Sequence, residues 1–167
     1  MIKITKIEKD FAAFRFLLKA RSKDKTKPIF TCLFSDGENA VCTDSRRLHM
    51  IKLDRDIPAG LYDVITSTTN DIVLHESTVG GQFPNYKQAL YEGEDKPVKL
   101  SVWDKRVNGA RTLFDIMSKG ICVNPQYIKD ACEDTGELTF HSADGGGPIQ
   151  ITNSFGTACV MPIQVKK

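Results

Sequence analysis

The stretch running from Ile29 to Leu53, IFTCLFSDGENAVCTDSRRLHMIKL, constrains this chain most. Apolar and polar residues alternate on both sides of Asp36-Gly37, and period-two alternation about an Asp-Gly pair is a hairpin signature. The run Thr43-Asp44-Ser45-Arg46-Arg47-Leu48 then closes a strand with polar, doubly basic and apolar residues in turn. A plain hairpin does not need that pattern.

The flanking sequence repeats this style of folding. Residues 2–7 alternate and read as a strand. Asp10 stands where a helix over 11–22 would be capped. Phe11, Phe14, Leu17 and Leu18 form one apolar face of that helix, with Arg15, Lys19 and Ser22 on the other side. Strands are expected at 29–35, 40–44, 48–53, 61–66 and 71–76. Phe83-Pro84-Asn85-Tyr86 follows a Gly80-Gly81 break, and 91–97 is charged and glycine-containing, the best place for a connector. Further strands are expected at 98–103, 120–123, 137–142, 149–153 and 157–165. Asn124 with Pro125 predicts a second helix start, running to about Cys132. Residues 104–119 fit a loop, an edge strand or a short helix.

The order strand, helix, strand, Asp-Gly turn, strand, turn, strand occurs twice, with Asp144-Gly145 in the place of Asp36-Gly37. This predicts an α+β fold of two pseudo-repeated β-α-β-β-β units, with two helices on one side of antiparallel sheets. At 167 residues the chain fits one domain, 1–167, with halves 1–90 and 98–167 joined by the connector 91–97.

Composition excludes several classes. The net charge of +2 argues neither for nor against nucleic acid, but Arg15, Lys19, Arg21, Lys23, Lys25 and Lys27 face a single acid, Asp24, over 15–27. That run is either a solvated loop after a helix or a phosphate-facing patch. The five cysteines form no C-x-x-C pair, which fits free thiols in a reducing compartment. His49, His75 and His141 have no ligand-spaced partners, so no metal or other cofactor is expected. No signal peptide or membrane span is visible, so a cytoplasmic location is expected. Gly145-Gly146-Gly147 lacks the lysine and setting of a phosphate loop, and no catalytic constellation stands out. An enzyme would need a cluster that only tertiary folding assembles.

Four motifs in order resemble the bacterial sliding clamp, the beta subunit of DNA polymerase III. The family's T-D-G-H-R-L stands here as Thr43–Leu48, its F-P-D-Y as Phe83–Tyr86, its apolar-Asn-x-x-Tyr helix start as Val123–Tyr127, and its V-M-P-M-R-L tail as Val160–Val165. Ser45 and Arg46 replace Gly and His, Gln164 replaces Arg, and the chain is less than half the family's length, with motifs of the middle and last family domains condensed into one. The resemblance implies a condensed, non-enzymatic clamp, of the kind a phage or mobile element would carry. It implies sequence-independent contact with duplex DNA through helix cations, here Arg15, Lys19, Arg21 and Lys129. It also implies a pocket for peptides of DNA polymerase or other replication proteins, carried by Thr43, Ser45, Arg46, Arg47, Leu48, Pro84, Val160, Met161, Pro162 and Ile163. One domain cannot encircle a duplex, so ring closure would need a homo-oligomer. The other reading is a peptide-binding module of the same fold that does not touch DNA.

Overall fold

A computed structural model describes residues 1–90, 98–100, 113–114, 116–118, 120–132, 138–142 and 147–163. The chain divides into two compact units, Met1–Tyr86 and Lys87–Lys167.

The first unit contains β1 (Ile2–Thr5), α1 (Phe11–Leu18), α2 (Pro28–Thr31), β2 (Cys32–Ser35), β3 (Asn39–Thr43), β4 (Arg47–Lys52), β5 (Gly60–Ser67) and β6 (Asp71–Glu76). Its strands lie in the order β1-β6-β5-β2-β3-β4. All neighbours are antiparallel, and β2 pairs with β3 through Phe34↔Val41 and with β5 through Leu33↔Tyr62. A bulge between Val64 and Thr66 turns Ile65 outward into solvent. Helix α1 packs on β3 and β4. Its buried Phe11, Phe14 and Leu17 join Ile4, Leu33, Val41, Ile51, Ile72 and Leu74 in the core.

In the second unit, β7 (Val98–Leu100), β8 (Leu138–Ser142), β9 (Ile149–Thr152) and β10 (Thr157–Val160) lie in the order β10-β9-β8-β7, again antiparallel. Helix α3 (Pro125–Ala131) packs on β10, with Ile128 and Ala131 buried. Each unit thus holds a helix followed by a three-stranded antiparallel meander, β2-β3-β4 or β8-β9-β10. The first strand of each meander has a second neighbour, β5 or β7. The α+β class and the helix-then-meander repeat agree with the sequence.

Several local expectations need correction. The strand expected at 29–35 begins only at Cys32, because Pro28 opens the short helix α2 and the Thr31 hydroxyl donates to the Pro28 carbonyl at 2.7 Å. Helix α1 stops at Leu18 rather than at residue 22. The Ser22 amide is held instead by the Phe30 carbonyl at 3.0 Å. Asp10 precedes α1 but makes no side-chain cap. Its carboxylate accepts from Arg55 Nε at 2.5 Å and Nη2 at 2.7 Å, and Glu8 accepts from the same guanidinium at 2.6 Å. Phe16, outside the expected apolar face, is buried against the imidazole of His49, with ring centroids 4.3 Å apart. Residues 120–123 are not a strand. Gly120, at φ +72°, bonds back to Met117 and terminates a helical turn, a backbone state that favours glycine. Strand β10 ends at Val160, and Met161–Ile163 is irregular. The Ile163 amide bonds to the Cys122 carbonyl at 2.8 Å, and Pro162 has no N–H to offer a ladder. Of residues 104–119, 113–114 and 116–118 are helical. The connector 91–97, the Asp144-Gly145 turn and residues 164–165 lie outside the described residues.

The Arg55 cluster makes stability depend on acid. The Thr5 backbone amide, the Arg55 guanidinium and the Thr5 hydroxyl hold the Glu8 carboxyl down from 4.5 to about 2. Between those values the unfolded chain binds the extra proton, so stability rises with pH through that window and is lost as pH falls toward 2. Removing the guanidinium in Arg55→Ala is expected to lower the urea midpoint at pH 7. It should also flatten the dependence of that midpoint on pH between about 2 and 4.5. Denaturation series at half-unit pH intervals check both.

Candidate peptide and nucleic-acid sites

The turn joining β3 to β4 is tied by its own side chains. The Thr43 hydroxyl donates to the Arg47 carbonyl at 2.6 Å and accepts from the Ser45 amide at 3.1 Å. Asp44 Oδ1 accepts from the amides of Arg46 and Arg47, both at 3.0 Å, and Oδ2 accepts from Arg47 Nε at 3.1 Å. The side chains of Arg47 and Asp44 are only 11% and 18% exposed, so this ion pair is better shielded than an ordinary surface pair. Leu48 is buried under the turn, whereas Ser45 and Arg46 are exposed. The two arginines that look alike in sequence therefore differ. Arg47 builds the turn and Arg46 is presented to solvent.

Ser45 has φ +73°, the left-handed region, which costs a side-chain-bearing residue roughly 1 kcal/mol. The clamp motif has glycine at this position. Ser45→Gly is expected to raise stability by about 0.5–1 kcal/mol, read as a higher urea midpoint at unchanged slope. An unchanged midpoint would show that the turn carries no strain.

Pro84 and Asn85 are exposed, yet Phe83 and Tyr86 on either side of them are buried. Residues 77–86 form a strap fastened along the first unit. The Ser77 amide donates to the Leu61 carbonyl at 2.8 Å and its hydroxyl donates to Asp63 at 2.9 Å. Gly81 sits at φ +116°, a backbone state that favours glycine, and a Cβ there would lie 2.8 Å from Ile29 Cδ1, so the Ile29 methyl would have to shift to admit it. Phe83 stacks on Phe34 of β2 at 4.7 Å and 7°, and Tyr86 meets the same ring at 6.3 Å and 59°. The Tyr86 hydroxyl donates to Asp36 Oδ2 at 2.6 Å. Burial alone would raise the Asp36 carboxyl, but the Tyr86 hydroxyl and the amides of Asn39 and Glu38 outweigh it and bring the group to about 2. Burial and the facing carboxylate push the Tyr86 phenol up to about 12. Sequence reasoning named Pro84 and missed its supports, Phe34, Asp36, Phe83 and Tyr86. The available signal was an aromatic pair in the F-P-N-Y motif beside an Asp-Gly turn.

Among the remaining expected pocket residues, Val160 is the buried last residue of β10. Met161 and Ile163 are exposed, and Pro162 is half-buried. Thr43, Ser45, Arg46, Arg47, Leu48 and Pro84 are thus on the first unit, and Val160, Met161, Pro162 and Ile163 on the second.

The expected DNA cations are not equivalent. Arg15 is exposed on α1, but its Nη1 donates to the Thr68 carbonyl of the β5–β6 turn at 2.7 Å. Arg21 is half-buried and its Nη1 donates to the Thr31 carbonyl at 3.4 Å. Lys19 caps the end of α1 and is half-buried. Lys129 is exposed on α3. Lys23, Lys25 and Lys27, in the loop after α1, are all exposed. Among the described residues, no group of His, Cys, Asp and Glu could hold a metal ion, and no helix is long and apolar enough to cross a membrane.

No family model matches the sequence, and no curated protein matches it. Solved structures do. The DNA polymerase III beta subunit of Thermotoga maritima superposes with a TM-score of 0.67 at 16% identity, over 99% of this chain and 65% of that one. The beta subunit from Streptococcus pyogenes gives 0.63 at 13% identity, over 98% and 66%. The Bacillus subtilis DNA polymerase sliding clamp gives 0.62 at 13% identity, over 99% and 64%. This chain therefore spans less than two thirds of the length of those clamps. At these identities the likeness is one of architecture: the chain has the fold of the bacterial DNA polymerase III beta sliding clamps.

Proposed function

We propose that this chain is a non-enzymatic, clamp-like protein that associates with duplex DNA without sequence preference and holds peptides of replication proteins. The observation that carries the reading is the clamp fold over 99% of the chain, together with a turn at Thr43–Leu48 that keeps the family's Thr, Asp, Arg and Leu in a self-braced geometry. A braced loop that presents exposed groups binds with little further ordering cost. We assign peptide recognition to Thr43, Ser45, Arg46, Arg47, Leu48 and Pro84 of the first unit and Val160, Met161, Pro162 and Ile163 of the second. Met, Pro and aliphatic neighbours adapt to varied apolar peptides. DNA contact is assigned to Arg15, Lys19, Arg21 and Lys129, and ring closure to a homo-oligomer.

A second reading has its own support. Arg15 and Arg21 already donate to the carbonyls of Thr68 and Thr31, and a guanidinium so placed is less available to a phosphate. On that reading the chain binds peptides and leaves DNA alone.

Salt titration separates the two. If the four assigned cations each meet one phosphate, log K for duplex DNA falls against log salt with a slope of about −4 per chain. The double variant Arg15→Glu, Lys19→Glu then loses DNA binding while retaining peptide binding. Absence of DNA binding by the unaltered chain at low salt, with peptide binding intact, establishes the second reading. Light scattering gives the oligomeric mass that ring closure requires, and a monomer at high concentration counts against the ring.

A further inference from the structure

The geometry points to Tyr86 and Asp36 as positioning residues of the peptide site: their hydrogen bond sets where Pro84 stands. The inference rests on the peptide-binding reading above and extends it to two residues that the clamp motifs do not single out for binding. Pro84 is exposed and makes no hydrogen bond through its own nitrogen, so nothing intrinsic holds it in place. What holds it is the pair of buried rings on either side. Phe83 is stacked on Phe34, and Tyr86 reaches past the same ring to the carboxylate at the head of the β2–β3 hairpin.

That carboxylate is itself held at both oxygens. Its Oδ1 accepts from the amides of Glu38 at 3.0 Å and Asn39 at 2.7 Å, and its Oδ2 takes the Tyr86 hydroxyl. The strap end is therefore fastened to the turn at residues 36–38, between the paired strands β2 and β3. Upstream, Ser77 fastens the strap to β5 through the Leu61 carbonyl and the Asp63 carboxylate. Loss of the hydroxyl leaves both rings on Phe34 but removes the hydrogen bond that ties Tyr86, two residues after Pro84, to the hairpin head. A wall residue that moves by an ångström costs affinity without unfolding anything.

The test compares three full-length chains: unaltered, Tyr86→Phe and Tyr62→Phe. Tyr62 donates its hydroxyl to the Pro58 carbonyl at 2.8 Å, a partner outside residues 77–86, so its variant loses a tyrosine hydrogen bond that does not hold the Pro84 end of the strap. The probe is a fluorescein-labelled peptide of leucine and phenylalanine spaced by polar residues, followed by anisotropy. Urea midpoints and amide hydrogen exchange are recorded alongside. Tyr86→Phe is expected to bind about tenfold more weakly, the loss of a hydrogen bond to a charged group. Its amides over 80–86 should exchange faster, while Tyr62→Phe binds as the unaltered chain does. Equal binding by Tyr86→Phe and the unaltered chain overturns the positioning role alone, as does equal weakening in both variants. If the unaltered chain captures no peptide, the peptide-binding reading falls and the positioning role with it.

Discussion

Strand β2 is paired along both edges, with β3 on one side and β5 on the other, and the first unit depends on that arrangement. A strand with both ladders satisfied cannot shift its register without moving every side chain to the wrong face. Its own polar residues reinforce the constraint. The buried Ser35 hydroxyl donates to the Ile57 carbonyl at 3.0 Å and accepts from the Gly37 amide at 3.0 Å. The hairpin head is thereby fixed from both sides, and Phe34 becomes a stationary platform on which residues 83–86 are laid.

Much of the arginine charge serves the fold rather than the surface. Arg55 bridges Glu8 and Asp10 and also lies over the Phe14 ring at 5.8 Å. Arg47 pairs with Asp44 within the β3–β4 turn, and Arg15 bonds a backbone carbonyl. A planar guanidinium with five donors can brace several acceptors at once, which a lysine cannot do. The lysines at 23, 25 and 27 are left exposed. Within the basic run 15–27, Arg15 and Arg21 are thus tied to backbone carbonyls while Lys23, Lys25 and Lys27 face solvent.

The parts legible in the sequence are those governed by local chemistry. Alternation about Asp36-Gly37 located β2 and β3, because side-chain period and turn geometry are set within a few residues. Asn124 before Pro125 located α3, and its side chain does accept from the Gln126 amide at 3.0 Å. Asp10 looked equally suited to cap α1, yet its carboxylate turns to Arg55, 45 positions away. A local cap competes with a charged partner that only the folded chain brings near, and the charged partner wins. Phe16 was absent from the expected apolar face for a similar reason, since it stacks on His49 of β4, 33 positions away.

Local chemistry along the chain was enough for the class of fold, the two helix-then-meander segments, and the motif order that resembles a sliding clamp. Turn residues, caps and periodicity act over distances of one to eight positions, so they are written in the chain. Folding in three dimensions was needed to select which of two adjacent arginines braces the β3–β4 turn, and to bring Tyr86 to Asp36 across 50 positions. Such pairings depend on which surfaces meet once the strands are laid side by side, and no local pattern encodes that meeting.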